Sequence, residues 1–426
     1  MFHKFKILHL ILILAVVLLI IRINVLVSGV YLLFLFLEIF VSSPSFALAQ
    51  VNFAFVDFSS SIIILSLVII LSLTVWKKPK LFKESANLTA FITILLLSFF
   101  FFAPLITNDN PNFQKDLSVT KLLPPLASVK MIHLNNKING STTIDKFISL
   151  KNEVIKRSFD ESIILVDSIS TINKFAYYQN STETPFAKDE VVIRNNVPLV
   201  TTRTFILGTD ELGRDIFVRM IYGARISLFI GLGSVLISLI LGLFLGFFAG
   251  YSEGFIDIVL NRLTDMFLAF PVIFFIIIII ALFGSSLAIV IAVLGFSGWM
   301  SLFKIVRSEV ISIKNNNFFI SARLIGLSNS KLLVKEVLPY ILIPVIVNLV
   351  FQYGNVILAE AALSYLGLGT GSNYPSWGSM IEAGQNYLSQ AWWMILFPGL
   401  ALFFTLLVAN NLGRYISSHY NTRIKA

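Results

Sequence analysis

Residues 318–340 read FFISARLIGLSNSKLLVKEVLPY. The segment carries Arg323, Lys331, Lys335 and Glu336, with a glycine at 326 and a proline at 339. Long apolar runs flank it on both sides. Phe318, Ala322 and Ile325 fall on one face at helical spacing. Gly326 costs about 1 kcal/mol relative to Ala inside a helix, but is favoured just past a helix end. The spacing predicts a short helix over 317–325, a turn over 326–330, a second helix from Lys331, and a break at Pro339 where the next apolar run starts. Such a segment has two physical uses. Its basic residues can rest on anionic lipid headgroups, or its apolar face can fill a groove in a soluble partner.

The composition says what surrounds it. The 426 residues are 57% hydrophobic and 13% charged, about half the charged fraction of a soluble domain. The chain therefore reads as an integral membrane protein whose apolar surface faces lipid, and its 40 phenylalanines fit lipid-facing helices. The net charge of +9 comes with no basic tract interleaved with aromatics, which argues against nucleic acid. Excess Lys and Arg on the cytoplasmic side of a membrane protein accounts for it. Absence of cysteine excludes disulfides, thiol nucleophiles and Cys-ligated metals. His3, His9, His133 and His419 are scattered and suggest no metal site.

A helix needs about 20 apolar residues to cross the hydrocarbon layer. Spans are predicted near 61–76, 89–106, 226–250, 263–283, 285–303, 341–361 and 392–412. Residues 7–41 are also apolar, broken by Arg22 and Asn24, and hold one long or two short segments. Orientation follows from Lys and Arg in short loops. Lys77, Lys78, Lys80 and Lys83 place the 77–83 loop in the cytoplasm, so the span 89–106 runs outward and residues 107–225 lie outside. Alternation then puts 304–340 back in the cytoplasm, with Lys304, Arg307, Lys314, Arg323, Lys331 and Lys335. No Lys or Arg occurs from Glu336 to Gly413, which includes the outer loop 363–391. The C-terminal Arg414, Arg423 and Lys425 are inside again. SFALAQ (45–50) resembles a small-residue signal-peptidase site, and cleavage there is one alternative for the N-terminus.

The outer loop is polar, with a helical pattern at 143–158, and reads as a small domain or a partly ordered insertion. Small residues recur every four positions at Ser234, Ser238, Gly242, Gly246 and Gly250, a stripe along which another helix can approach closely. Packing within the chain and a subunit interface both fit it. Asp215 and Arg219 are spaced to pair, Asp210 could cap a short helix, and Arg262 and Asp265 are also spaced to pair. Glu360 lies near the outer end of its span. An ionisable group there is costly unless paired or wet, so it is a candidate for the translocation path, against a plain interhelix hydrogen bond. No G-x-x-x-x-G-K-[ST] loop occurs, so the chain is not expected to hydrolyse ATP. No H-E-x-x-H or Ser/His/Asp arrangement is present, and no metal or catalytic residue is assigned.

Here the residues reach a resemblance. SARLIG (321–326) followed by VLP (337–339) looks like the cytoplasmic-loop motif of ABC-importer permeases, E-A-A, three residues, G, nine residues, I-x-L-P. Ala322, Gly326, Leu338 and Pro339 match at the required spacing, while Ile320, Ser321 and Glu336 depart from it. LGTDELGRDIFVRMIYGARISL (207–228), RLTDMFLAFP (262–271), ILAEAALSYLGLG (357–369), PSWGSMI (375–381) and YLSQAWW (387–393) follow in order. Together they are similar to the C-type permease subunit of peptide/nickel ABC importers, over 200–426 and the span 89–106 with LLPP (122–125). Residues 1–85 and 126–200 lie outside the resemblance.

The resemblance implies an all-α, polytopic membrane protein with a type I ABC-importer permease core. Residues 1–85 are an extra N-terminal membrane region, 86–106 the first core helix, 107–204 an extracytoplasmic insertion, and 205–426 the core with its coupling loop near 304–340. It implies a heterodimer with a sibling permease, two cytoplasmic ATPases carrying ATP and Mg, an extracytoplasmic binding protein, and membrane lipid around it in the inner membrane. Ser321, Ala322, Arg323, Gly326, Leu338 and Pro339 are implied to couple to an ATPase, with Arg323 facing it or capping the helix. The GTDELGRD segment is expected to be a surface elbow setting the entry of the next helix. The implied cargo is a short peptide, with nickel and glutathione-like cargo as alternatives. The rivals are a secondary transporter or channel without ATPases, which predicts relay residues and an inverted repeat, and a membrane-anchored enzyme or sensor working through 107–225. Residues 1–60 are expected to be dispensable for ATPase docking.

Overall fold

A computed structural model describes residues 7–76, 87–107, 109–134, 142–155, 162–170, 176–187, 190–194, 197–252, 254–328, 331–371 and 374–424. The lysines expected in the 77–83 loop, and Asn329 and Ser330 of the expected turn, lie outside these residues. The chain divides into two compact units, Met1–Arg225 with Ala383–Gly399, and Ile226–Glu382 with Leu400–Ala426.

In the first unit the apolar N-terminus forms two helices, α1 (Ile7–Ile21) and α2 (Ile23–Ser42), followed by the short α3 (Pro44–Ala49) and by α4 (Phe53–Trp76). The break falls at Arg22, whose backbone is non-helical. The first core helix, α5 (Leu88–Ile106), starts on Asn87, whose side chain accepts from the Ala90 amide. It kinks at Phe102, before Pro104, because a proline inside a helix removes a donor and clashes with the preceding turn. Ser61 on α4 donates to the Phe101 carbonyl at 2.8 Å.

The outer loop is a small α+β domain. After the single turn α6 (Leu117–Thr120), strand β1 (Ala127–His133) pairs antiparallel with β2 (Ile163–Val166) and β8 (Val200–Phe205), in the order β2-β1-β8. Strands β3 (Ser168–Ser170), β4 (Ala176–Gln179) and β5 (Thr182–Pro185) form a second sheet, and β6 (Ile193–Arg194) pairs with β7 (Val197–Pro198). The helical expectation at 143–158 is met by α7 (Thr143–Val154), opened by a capping box between Thr142 and Asp145.

The two regions outside the family resemblance fold together. Phe36 of α2, Phe55 of α4 and Phe147 of α7 form one aromatic cluster, with ring centroids 4.9, 6.2 and 6.3 Å apart. Leu32, Leu35, Ile39 and Ala47 are buried in the same core as Phe147 and Val154. Lys151 donates to the carbonyl of Gln50 at 2.8 Å and to its side chain at 3.1 Å.

The second unit is helical. The long α8 (Ile216–Ser252) runs into it, followed by α9 (Phe255–Ala269), α10 (Val272–Phe283), α11 (Leu287–Lys314), α12 (Asn317–Leu324), α13 (Leu338–Tyr365), α14 (Trp377–Gly384) and α15 (Trp393–Ile424). The span predicted over 263–283 is a pair, α9 and α10, bent by 85° where Phe270 and Pro271 interrupt it.

The small-residue stripe packs within the chain. Ser234 and Ser238 donate to the carbonyls of Ile291 and Gly295 on α11, at 3.1 and 2.5 Å. A Cβ on Gly246 would lie 2.7 Å from the Cβ of Val306. Gly246→Leu is therefore expected to lower stability by about 1–3 kcal/mol through overpacking, read as thermal unfolding in detergent. An unchanged melting temperature would contradict this crossing.

Candidate functional site

The hairpin over 318–340 is built from the end of α11 through α12. Gly326 has φ +90°, directly after the C-cap Ile325. The Gly326 amide donates to the Arg323 carbonyl at 3.1 Å and the Leu327 amide to the Ala322 carbonyl at 3.4 Å. These two bonds make a Schellman motif, with glycine at the left-handed position. A Cβ at Gly326 would meet nothing within 4 Å, so its constraint is the backbone angle alone.

The next segment differs from the expectation. Leu332–Val337 is a π-helical turn that passes directly into α13. Pro339 makes no break: it follows directly on the π-helical turn, and the helix continues through it as α13. Phe319, Leu332, Val337 and Ile341 are buried against Val306, Val310 and Ile313 of α11. Phe318 stacks on Tyr340, with centroids 4.9 Å apart.

This packing sorts the candidate coupling residues. Ser321, Arg323, Gly326 and Pro339 are exposed. Ala322 and Leu338 are half-buried against the chain's own core. Ala322 therefore does not share an outward face with Ile325. Ile325 is the C-cap, where the chain leaves the helix and the helical count stops applying. The outward apolar surface is Leu324 and Ile325, 81% and 82% exposed, with Ile320 beside them. Leu324 and Ile325 occupy unspecified positions of the loop motif; helical spacing points to Ile325 but not to Leu324.

In the first unit, the GTDELGRD segment is an elbow whose Thr209, Asp210 and Arg214 are buried rather than on the surface. Asp210 does not cap a helix. Its Oδ1 accepts from the amides of Leu212 and Arg214 at 3.0 and 2.9 Å. Its Oδ2 lies 2.7 Å from Arg214 Nε and 3.5 Å from Arg219 Nε. Arg219 thus pairs with Asp210 and not with Asp215. Asp215 instead opens α8, accepting from the amides of Phe217 and Val218 at 2.9 and 3.4 Å, with Arg203 3.6 Å away. Burial pushes the Asp215 carboxyl above the usual carboxylate range. Burial, then the neighbouring Asp210 charge, does the same to Glu211. Thr209 ties the elbow to LLPP, its hydroxyl accepting from the Leu123 amide at 2.7 Å, and Trp393 Nε1 donates to the Thr209 carbonyl at 3.1 Å.

Glu360, the candidate for the translocation path, is fully buried. It accepts from Ser364 Oγ at 2.7 Å and Ser227 Oγ at 3.4 Å, and the Trp377 amide donates to Ser227 Oγ at 3.2 Å. In this geometry it is an interhelix hydrogen-bonding group joining α8, α13 and α14. The pairing expected between Arg262 and Asp265 is replaced by Lys304–Asp265 at 2.5 Å, reaching across from α11. An ion pair that local spacing does not signal joins the first unit internally: Asp57 of α4 accepts from both Nη atoms of Arg225 at 2.6 and 2.7 Å.

Residues 242–423 match the family described as binding-protein-dependent transport system inner membrane component. An oligopeptide transport system permease protein of Escherichia coli is 39% identical over 206 residues, 48% of this chain and 68% of its own. A dipeptide transport system permease protein of Alkalihalophilus pseudofirmus is 36% identical over 219 residues, 51% of this chain and 72% of its own. One of Bacillus subtilis is 35% identical over 235 residues, 54% and 73% respectively. The described residues hold seven helices long and apolar enough to cross a membrane, and the bent pair α9 and α10 makes up to eight. On these grounds the chain belongs to the permease family of binding-protein-dependent transport systems and is a multi-pass protein of the inner membrane.

Proposed function

We propose that this chain is one transmembrane half of an ATP-driven importer of short peptides. The single observation that carries the mechanism is the α12 hairpin. It offers Leu324 and Ile325 almost fully exposed beyond a glycine-specified turn, while Phe319, Leu332 and Val337 hold its base in the chain's own core. A rigid base with an exposed apolar tip fits a groove in a soluble partner better than a lipid surface. Lipid contact needs no fixed turn, whereas transmission of movement does. The partner is a cytoplasmic ATPase, two copies serving this chain and a sibling permease, with ATP and Mg held there. The chain itself transports and does not catalyse. An extracytoplasmic binding protein delivers the cargo. The peptide assignment rests on the names of the relatives above, and nickel or glutathione-like cargo is the alternative within the same family.

Purification in mild detergent with the products of neighbouring genes tests this. Two ATPase chains and a second permease should co-elute, and peptide-loaded binding protein should stimulate ATP hydrolysis. Elution without an ATPase, together with transport that survives ATP depletion, would favour a secondary transporter.

A further inference from the structure

A cavity lies where the N-terminal helices meet the first core helix, apart from the hairpin that carries the import reading. Helices α1, α4 and α5 enclose a cavity of about 450 Å³. Its walls include Leu14 and Leu18 of α1, Val68 of α4, and Leu95 and Phe99 of α5. Two polar side chains reach it, Ser98 and Arg22. The Ser98 hydroxyl is spent on the Ile94 carbonyl at 2.7 Å. Val17 and Ile21, on its rim, are 43% and 71% exposed, so the cavity opens along α1 toward the surroundings of the helices.

Arg22 stands where a charge is unexpected. It interrupts an apolar stretch of more than 30 residues, where an isolated cation is costly. Its Nε and Nη2 both donate to one acceptor, the Ile106 carbonyl at the end of α5. Among the described residues no carboxylate lies within ion-pair distance of it. A guanidinium carries five donors in a planar fork suited to phosphate oxygens. Capping one carbonyl uses two of them and leaves the charge without a counter-ion among the described residues.

An apolar cavity does not hold water well, and the molecules that meet a membrane-spanning helix are lipids. We propose that the groove between α1, α4 and α5 binds one phospholipid with a net-negative headgroup, its acyl chain in the cavity and its phosphate on Arg22. The cavity supplies the hydrophobic length and Arg22 the charge complementarity, at the same end of the same groove. By the orientation of α5, the lipid belongs to the outer leaflet. The site would join the N-terminal helices to the first core helix through a lipid as well as through side chains.

The full chain, purified in mild detergent and exchanged with phosphatidylglycerol, tests this by native mass spectrometry. One phosphatidylglycerol should remain on each wild-type chain. Arg22→Gln should reduce its retention about tenfold or more, the value of a charge-assisted pair of hydrogen bonds. Ser98→Phe fills the cavity and leaves Arg22 in place, and should reduce retention as well. It keeps the test valid if Arg22→Gln fails to fold. Phosphatidylcholine should be retained less than phosphatidylglycerol. Equal retention by wild type and Ser98→Phe, or equal retention of the two lipids, overturns the proposal.

Discussion

Asp57→Ala is expected to cost about 3–5 kcal/mol of stability, the usual effect of removing one partner of a buried ion pair. Asp57 is 5% exposed, and both of its oxygens accept from Arg225. With alanine in its place, the Arg225 guanidinium remains inside a membrane-spanning helix without its carboxylate. Asp57→Asn keeps hydrogen-bonding capacity and should cost less. Pairing Asp57→Leu with Arg225→Met removes both charges and should recover most of the loss, since buried pairs often give way to apolar residues at little cost. Thermal unfolding in detergent, with size-exclusion profiles before and after heating, reads all three. An Asp57→Ala protein that melts with wild type, or a double variant no better than the single one, would show that the pair contributes nothing.

The pair also changes what residues 1–60 are expected to do. They lie outside the family resemblance, which by itself would make them dispensable for ATPase docking. Yet Asp57 anchors Arg225, and α2 shares a core with α7 of the outer loop. Deleting 1–60 should therefore lower the amount of folded protein first, and any loss of docking has to be measured per folded chain.

The membrane helices were legible because a run of about 20 apolar residues seldom serves anything but a membrane crossing. Their ends were less so. The span predicted from 226 starts at Ile216, since Arg219 and Arg225 depress the local hydropathy. Their partners, Asp210 and Asp57, make those charges tolerable, and Asp57 is 168 residues from Arg225. Local spacing misled twice for the same reason. Asp215 is four residues from Arg219, but its Oδ1 is taken by the α8 amides and its Oδ2 faces Arg203, and Arg262 loses Asp265 to a lysine on another helix. The strands of the outer loop are short, and β1 pairs Lys130 with Thr202, so no local pattern carries the sheet. The hairpin turn was readable because one residue type, glycine, is needed at its positive φ. The exposure of Leu324 and Ile325 was not, because it depends on which face α11 and α13 cover.

Leu324→Glu combined with Ile325→Glu should abolish coupling while leaving the permease folded. Both side chains are more than 80% exposed, and substitutions at such positions usually change stability by less than about 0.5 kcal/mol. If the two fill a partner's groove, each contributes about 1.5–3 kcal/mol on burial. Losing both weakens ATPase binding by more than about a hundredfold. Gly326→Asp should act through the turn instead. Holding a non-glycine residue at φ +90° costs roughly 1–2 kcal/mol, less for Asp than for a branched residue. Such a local cost should leave insertion and assembly with the sibling permease intact. Ala322→Trp has a different expected outcome, because Ala322 is half-buried against the chain's own core. Its first effect should be a lower melting temperature, with coupling lost as a consequence. The measurements are ATPase co-purification, stimulated ATP hydrolysis and peptide uptake, each normalised to folded permease. Wild-type uptake by the Leu324→Glu/Ile325→Glu variant would mean that the exposed tip meets lipid or water, and the groove reading of the hairpin would fail.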